Sequence, residues 1–181
     1  MDIMNQIKNN LDNNNYLSDS IRNQIFELIN IFHKTFPEIN LDRLNEKIGT
    51  VKIGKISLYE RKGPVVYDIK NNEVLFSKKS LEDDYDVNHL MMKGLIAIIS
   101  TSITNDYYGY NKNNSLYALT LGFTEMLANT LVGNEGKCDF EEELLATNLV
   151  SQIIGKDIMF NAFFNNDAET IFKKMLEAEV G

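Results

Sequence analysis

Residues 86–103, DVNHLMMKGLIAIISTSI, constrain the fold more than any other stretch of this chain. Leu90, Met91, Gly94, Leu95 and Ile98 recur at helical spacing, and Met92, Ile96, Ile99 and Ile103 cover a second side. A helix apolar around so much of its circumference belongs in a protein core. One narrow stripe interrupts that surface: His89, then Lys93 one turn later, then Ala97. An ionisable stripe on a helix of this kind marks either a site or the remains of one.

The chain has the material for such a core. Its 181 residues are 44% hydrophobic, enough for one sizeable domain over residues 1–181. A net charge of −8 argues against nucleic acid or an anionic membrane as a partner, and the basic pair Lys78-Lys79 is too short to alter that. The single cysteine, Cys138, excludes an intrachain disulfide and fits a reducing compartment, where it reads as an inert small residue at a helix start. The first residues, MDIMNQIKNN, lack a basic region followed by an apolar core, so no secretion signal is expected. The longest apolar run, 95–99, falls far short of the about 20 residues a bilayer span needs. The expectation is a soluble, cytoplasmic protein.

Around the central helix the pattern gives an α+β chain: N-terminal helices, a small and mostly antiparallel sheet, then a helical C-terminal half. Ile3, Ile7 and Leu11 suggest a short helix, which with Asn13-Asn14-Asn15 as a linker makes 1–17 a loosely attached segment. Ser18 is placed to cap a long helix with Ile21, Ile25, Leu28, Ile29 and Phe32 on one face. Pro37 ends that helix near Phe36, leaving His33 near its C-terminal end as a surface residue compatible with the helix dipole. Residues 41–48 form a further helix closed by Gly49. Period-two alternation follows at Val51 and Ile53, then out of phase at Ile56 and Leu58, which predicts a bulge or bend at Gly54. Val65, Tyr67 and Ile69, then Val74 and Phe76, give two more strands, with Pro64 at a strand start and Asn71-Asn72 as the hairpin turn. Beyond Asp83 the chain is helical: 86–103, a Tyr-rich loop at 105–115, 116–132 closed by Gly133, 140–154 closed by Gly155, then 158–164 and 168–180 capped by Asp157 and Asp167. The acidic runs at 83–86 and 141–143 read as favourable first-turn charge, since a calcium loop spaces its oxygen ligands more widely.

On the helix at 116–132, Tyr117, Leu121, Glu125 and Asn129 form an i, i+4 stripe. Ala118 and Gly122 are small enough to admit a neighbouring helix, and an interior Gly costs about 1 kcal/mol against Ala unless packing requires it. Glu125 lies among Phe123, Met126 and Leu127. If buried it needs a partner, and His89 and Lys93 are the candidates.

A buried helix carrying His, followed by one carrying Gly-Phe-Thr-Glu, resembles the zincin metallopeptidases of the gluzincin type, and most of all their small bacterial members. The resemblance covers residues 50–165, which then form a zincin-like core, and it sets HLMMK against His-Glu-x-x-His and TLGFTE against Asn-Glu-Gly-x-Thr-Glu. In that chemistry two His one turn apart bind zinc, the Glu between them activates water, and the first Glu of the second motif is the third ligand. The second Glu orients a ligand His.

Aligned this way, His89 matches the first ligand, while Leu90 stands for the base and Lys93 for the second His. Thr120 stands for Asn, Leu121 for the metal-binding Glu, and Glu125 for the orienting carboxylate. One His does not hold zinc usefully, so the resemblance implies a pseudoenzyme with no metal and no cofactor. In it His89, Lys93 and Glu125 form a remnant site, with His89 and Glu125 as a cross-brace, and Leu90 and Leu121 fill the former metal volume. Its role is then binding, regulatory or structural, with a peptide or protein as partner and no prediction of oligomeric state. Two alternatives stand beside it. One is a metal-independent hydrolase-like enzyme using His89 as base, Glu125 as its orienting carboxylate and Tyr107, Tyr108 or Tyr110 as proton donor. The other is a plain helical α+β protein unrelated to peptidases.

Overall fold

The computed structural model describes residues 2–57, 63–78, 80, 84–110 and 116–180. Leu58, Lys79, Asp83 and the end of the Tyr-rich loop, 111–115, lie outside the described residues, so the expectations placed on them are not pursued. The described chain is α+β, with eight helices and a three-stranded sheet. Its backbone separates into two compact units, Met1–Ile99 with Ala128–Asp139, and Ser100–Leu127 with Phe140–Gly181.

The first unit begins with α1 (Ile3–Asp12), α2 (Asp19–Thr35) and α3 (Asp42–Ile48). Ile7 and Leu11 of α1 are wholly buried, and Asn10 Nδ2 bonds both the carbonyl and the side chain of Asn45. The expected linker is also packed. Asn14 is fully buried; its Nδ2 donates to the carbonyls of Ile48 and Val51 at 2.9 Å each, and its Oδ1 accepts from Tyr16 N. Residues 1–17, expected to be loosely attached, are thus tied down by an amide whose partners lie more than thirty positions away. Periodicity carries no trace of such a bond. In α2, Ser18 caps Ile21 N as expected and Ile25, Leu28, Ile29 and Phe32 are buried, the helix stopping at Thr35 two residues before Pro37.

Strands β1 (Lys52–Ile56), β2 (Val65–Asp68) and β3 (Glu73–Ser77) form a sheet of order β1-β3-β2. The β2–β3 hairpin is antiparallel and turns at Asn72, whose φ is +50° and whose side chain bonds Tyr67 and the Lys47 carbonyl. β1 pairs parallel to β3, so the sheet is mixed and not mostly antiparallel. Alternation fixes which side chains share a face and carries no information on strand direction. No bulge occurs at Gly54, which pairs one-to-one with Leu75. A Cβ there would come within 2.2 Å of Glu73 Oε1 and 2.8 Å of Leu75 Cδ2, the outer ends of two side chains that lie over this position.

Helix α4 (Val87–Ile99) packs against α2, α3 and β2, and every residue from His89 to Ile99 is buried. It touches the sheet at Gly94, where a Cβ would lie 2.9 Å from Val74 Cγ1. It ends four residues earlier than the apolar pattern suggests.

The second unit starts where α4 stops. Ser100, Thr101 and Ser102 leave the helix for a short reversal, with Gly109 N donating to Ser100 O and Ser102 N to Tyr107 O. Ile103, expected to cover the second side of the central helix, is instead 80% exposed. Three consecutive hydroxyl residues compete for backbone partners and end a helix that hydropathy alone would extend. α5 (Tyr117–Val132) crosses the boundary between the units at Leu127–Ala128. α6 (Glu141–Ile154), α7 (Lys156–Phe164) and α8 (Ala168–Val180) pack on one another. Asp167 caps α8 through Thr170 N as expected, whereas α7 starts directly after Gly155 and Asp157 falls inside its first turn.

Candidate functional site

The site residues read from the sequence fall on two helices. His89, Leu90 and Lys93 stand on α4 in the first unit; Thr120, Leu121 and Glu125 stand on α5 in the second.

Asp86 fixes the start of α4. Its Oδ1 accepts from Asn88 N at 2.9 Å and His89 N at 3.1 Å, and its carbonyl accepts from Leu90 N. This is the capping role expected of the acidic run. The loop after α5 closes against the same point: Lys137 N donates to Asp84 O, and a Cβ on Gly136 would come within 2.4 Å of Asp86 N. Gly133, at φ +71°, ends α5 in the left-handed region and turns its carbonyl toward His89 Nδ1 at 2.6 Å.

A carbonyl can only accept, so Nδ1 carries the proton, and in the neutral imidazole Nε2 carries the lone pair. A metal-binding His is held in the same way, by a hydrogen bond from its other ring nitrogen. The residues around it do not complete such a set. Leu90 is 2% exposed and apolar, and Lys93, one turn after His89, is 5% exposed and carries an amine where the pattern has an imidazole. Among the described residues no three His, Cys, Asp or Glu side chains come together as a metal cluster would. The chemistry of these residues does not fit zinc.

On α5, Thr120 and Glu125 are buried, Leu121 is half-buried, and the Thr124 hydroxyl bonds back to the Thr120 carbonyl. Gly122 has the packing reason its cost implies: a Cβ would meet the Glu143 carbonyl oxygen at 2.1 Å, so α6 lies directly against it. Ala118, expected to share that role, is exposed. Thr120 Oγ1 accepts from Tyr110 N at 3.1 Å, which is a structural use of the side chain.

The tyrosines proposed as proton donors separate. Tyr110 is wholly buried, its ring between Phe123 and Phe163 at 5.6 and 5.1 Å, and its hydroxyl donates to the Met159 carbonyl. Burial pushes its ionisation well above the ordinary tyrosine range. Tyr110 is a core residue, and its proton is committed to the backbone. Tyr107 and Tyr108 are half-buried in the reversal after α4. His33 is half-buried near the end of α2, and Cys138 is half-buried in the loop before α6 and not at a helix start.

Sequence reasoning missed two polar brackets. Asn14 is one; Asn166 is the other, at φ +56°, donating to the carbonyls of Ser100 at 2.8 Å and Gly109 at 3.1 Å. Sequence reasoning also missed a groove of about 750 Å³ in the first unit, at the N-terminal end of α4. Glu27, Asp84, Asp86 and Glu135 line it together with Ile31 and Val87. Its lining comes from three separate stretches, so no local motif marks it.

Comparison with models of known families, with curated proteins and with solved structures gives no match for this chain. Among the described residues no helix is long and apolar enough to cross a membrane.

Proposed function

We propose that this chain is a non-catalytic, zincin-like protein whose zinc site has been replaced and which acts by binding a peptide or protein. The observation that carries the reading is on α4. His89 is held through Nδ1 as a ligand histidine would be, while the positions of the base and second ligand hold a buried Leu90 and a buried Lys93. Neither is a carboxylate or an imidazole, so the base and the second ligand of the zincin pattern are both replaced. The groove beside the start of α4 supports the binding role. Its four carboxylates and its apolar Ile31 and Val87 suit a segment that offers Lys or Arg with aliphatic stems.

The test is to rebuild the set. A variant carrying Leu90→Glu and Lys93→His restores His-Glu-x-x-His on α4 in the register read from the sequence. It is expected to bind zinc one-to-one by metal analysis after dialysis, while the natural chain retains none. Stoichiometric zinc in the natural chain, or a folded double variant that ignores zinc, refutes the reading. For the binding role, a fluorescent Lys-rich peptide is expected to show salt-dependent anisotropy that Asp84→Asn with Glu135→Gln abolishes.

A further inference from the structure

The second unit carries an apolar face that is exposed among the described residues. Leu145, Leu149 and Ile153 recur every four residues along α6 and are 62%, 52% and 60% exposed. Beside them on α8, Phe172, Met175 and Leu176 are 45%, 38% and 63% exposed. Ile153 and the α8 residues line a groove of about 590 Å³. Scattered exposed apolar residues need no explanation, but a continuous stripe on one helix with a second row beside it marks a surface that docks onto something.

We infer that the occupant is a second copy of this chain, joined through a two-fold axis at Leu149 with the α6 helices antiparallel. The residues of α6 are arranged symmetrically about that point. Leu145 and Ile153 stand four positions to either side of Leu149, so a two-fold sets Leu145 of one copy opposite Ile153 of the other. Glu142 and Lys156 stand seven positions to either side, and both are exposed. α6 carries an acidic first turn, Glu141, Glu142 and Glu143, and past the break at Gly155 the next helix opens with exposed Lys156, followed by exposed Asp157. Antiparallel pairing sets each acidic end against the partner's lysine and opposes the two helix dipoles. Parallel pairing would set like charges together. The groove between α6 and α8 then receives apolar side chains of the partner, as ridges of one helix enter grooves of another.

Sedimentation of the full chain across micromolar to near-millimolar concentrations tests this. The expected result is a reversible dimer at twice the 20.7 kDa chain mass. Leu149→Glu places two like charges on the axis and is expected to weaken the dimer at least about tenfold, with far-UV circular dichroism unchanged because Leu149 is at the surface. Charge reversal keeps the idea falsifiable should that variant misfold. Glu142→Lys and Lys156→Glu should each weaken association, and the two together should restore it. A monomer at every concentration overturns the proposal and leaves the face to a different protein. A dimer indifferent to Leu149→Glu and to the charge swaps overturns it as well.

Discussion

Helix α4 buries a histidine and a lysine, 2% and 5% exposed, whereas α6 leaves Leu145, Leu149 and Ile153 exposed by 62%, 52% and 60%. The two depart from apolar-inside, polar-outside in opposite directions. On α4 the polar groups are held where they cost most, so something specific must repay their desolvation. For His89 part of that is the Gly133 carbonyl at 2.6 Å. On α6 the apolar groups are left where they gain little within the monomer, and any benefit they bring comes from association. Buried polar and exposed apolar residues are therefore the informative positions, and they point to different questions: what compensates the buried groups of α4, and whether the face of α6 associates.

That contrast is sharpest between two carboxylates. Glu125, on α5, is 1% exposed, and Glu142, on α6, is exposed. Glu125→Ala strands the groups that compensate a buried charge and is expected to cost about 3–5 kcal/mol, lowering the melting temperature by roughly 10 °C. Glu142→Ala should change stability by less than about 0.5 kcal/mol. Urea denaturation of both variants decides it. Equal effects would remove the distinction between a compensated buried carboxylate and ordinary surface charge. A double-mutant cycle with His89→Ala then asks whether the cross-brace expected from the sequence exists, since independent residues give additive losses.

The next effect belongs to helix contact. Gly122→Ala should improve helix propensity by about 1 kcal/mol, yet its Cβ would lie 2.1 Å from the Glu143 carbonyl oxygen, which is backbone and cannot swing away. The overpacking cost of about 1–3 kcal/mol is expected to win. A stabilised Gly122→Ala in chemical denaturation would mean that α6 yields easily. Smaller again is His89→Phe, which keeps ring volume and deletes the bond to Gly133; losing it should cost about 1–2 kcal/mol. Amide exchange should rise first in the loop from Asn134 to Asp139 if that bond holds the loop in place.

What could be read from the sequence was what repeats. Burial of α4, the Ser18 cap, the stop before Pro37, the Asn72 turn and the Gly133 and Gly155 ends follow from local residue chemistry, and so does the packing need at Gly122. What escaped it depends on partners far along the chain. Asn14 and Asn166 look like loop asparagines, and only their carbonyl partners show them to be brackets. Parallel pairing of β1 with β3 escaped because alternation is blind to direction. The end of α4 at Ile99 escaped because the hydroxyls of Ser100, Thr101 and Ser102 outweigh an apolar residue at Ile103. At the site, residue identity was enough to show which positions of the zincin pattern are replaced, whereas the His89–Gly133 bond needed the fold.

The smallest effect distinguishes the two helices by concentration. Replacing an exposed leucine should leave the monomer nearly as stable as before, so Leu149→Ser is expected to melt with the natural chain in dilute solution. At higher concentration a dimer adds stability by mass action, and the natural chain should melt progressively higher while Leu149→Ser does not follow. No substitution on buried α4 can produce that signature, because its losses are the same at every dilution. A natural chain whose melting temperature ignores concentration would place α6 with the many surfaces whose exposed leucines carry no function, and would leave the buried polar groups of α4 and α5 as the departures that need a reason.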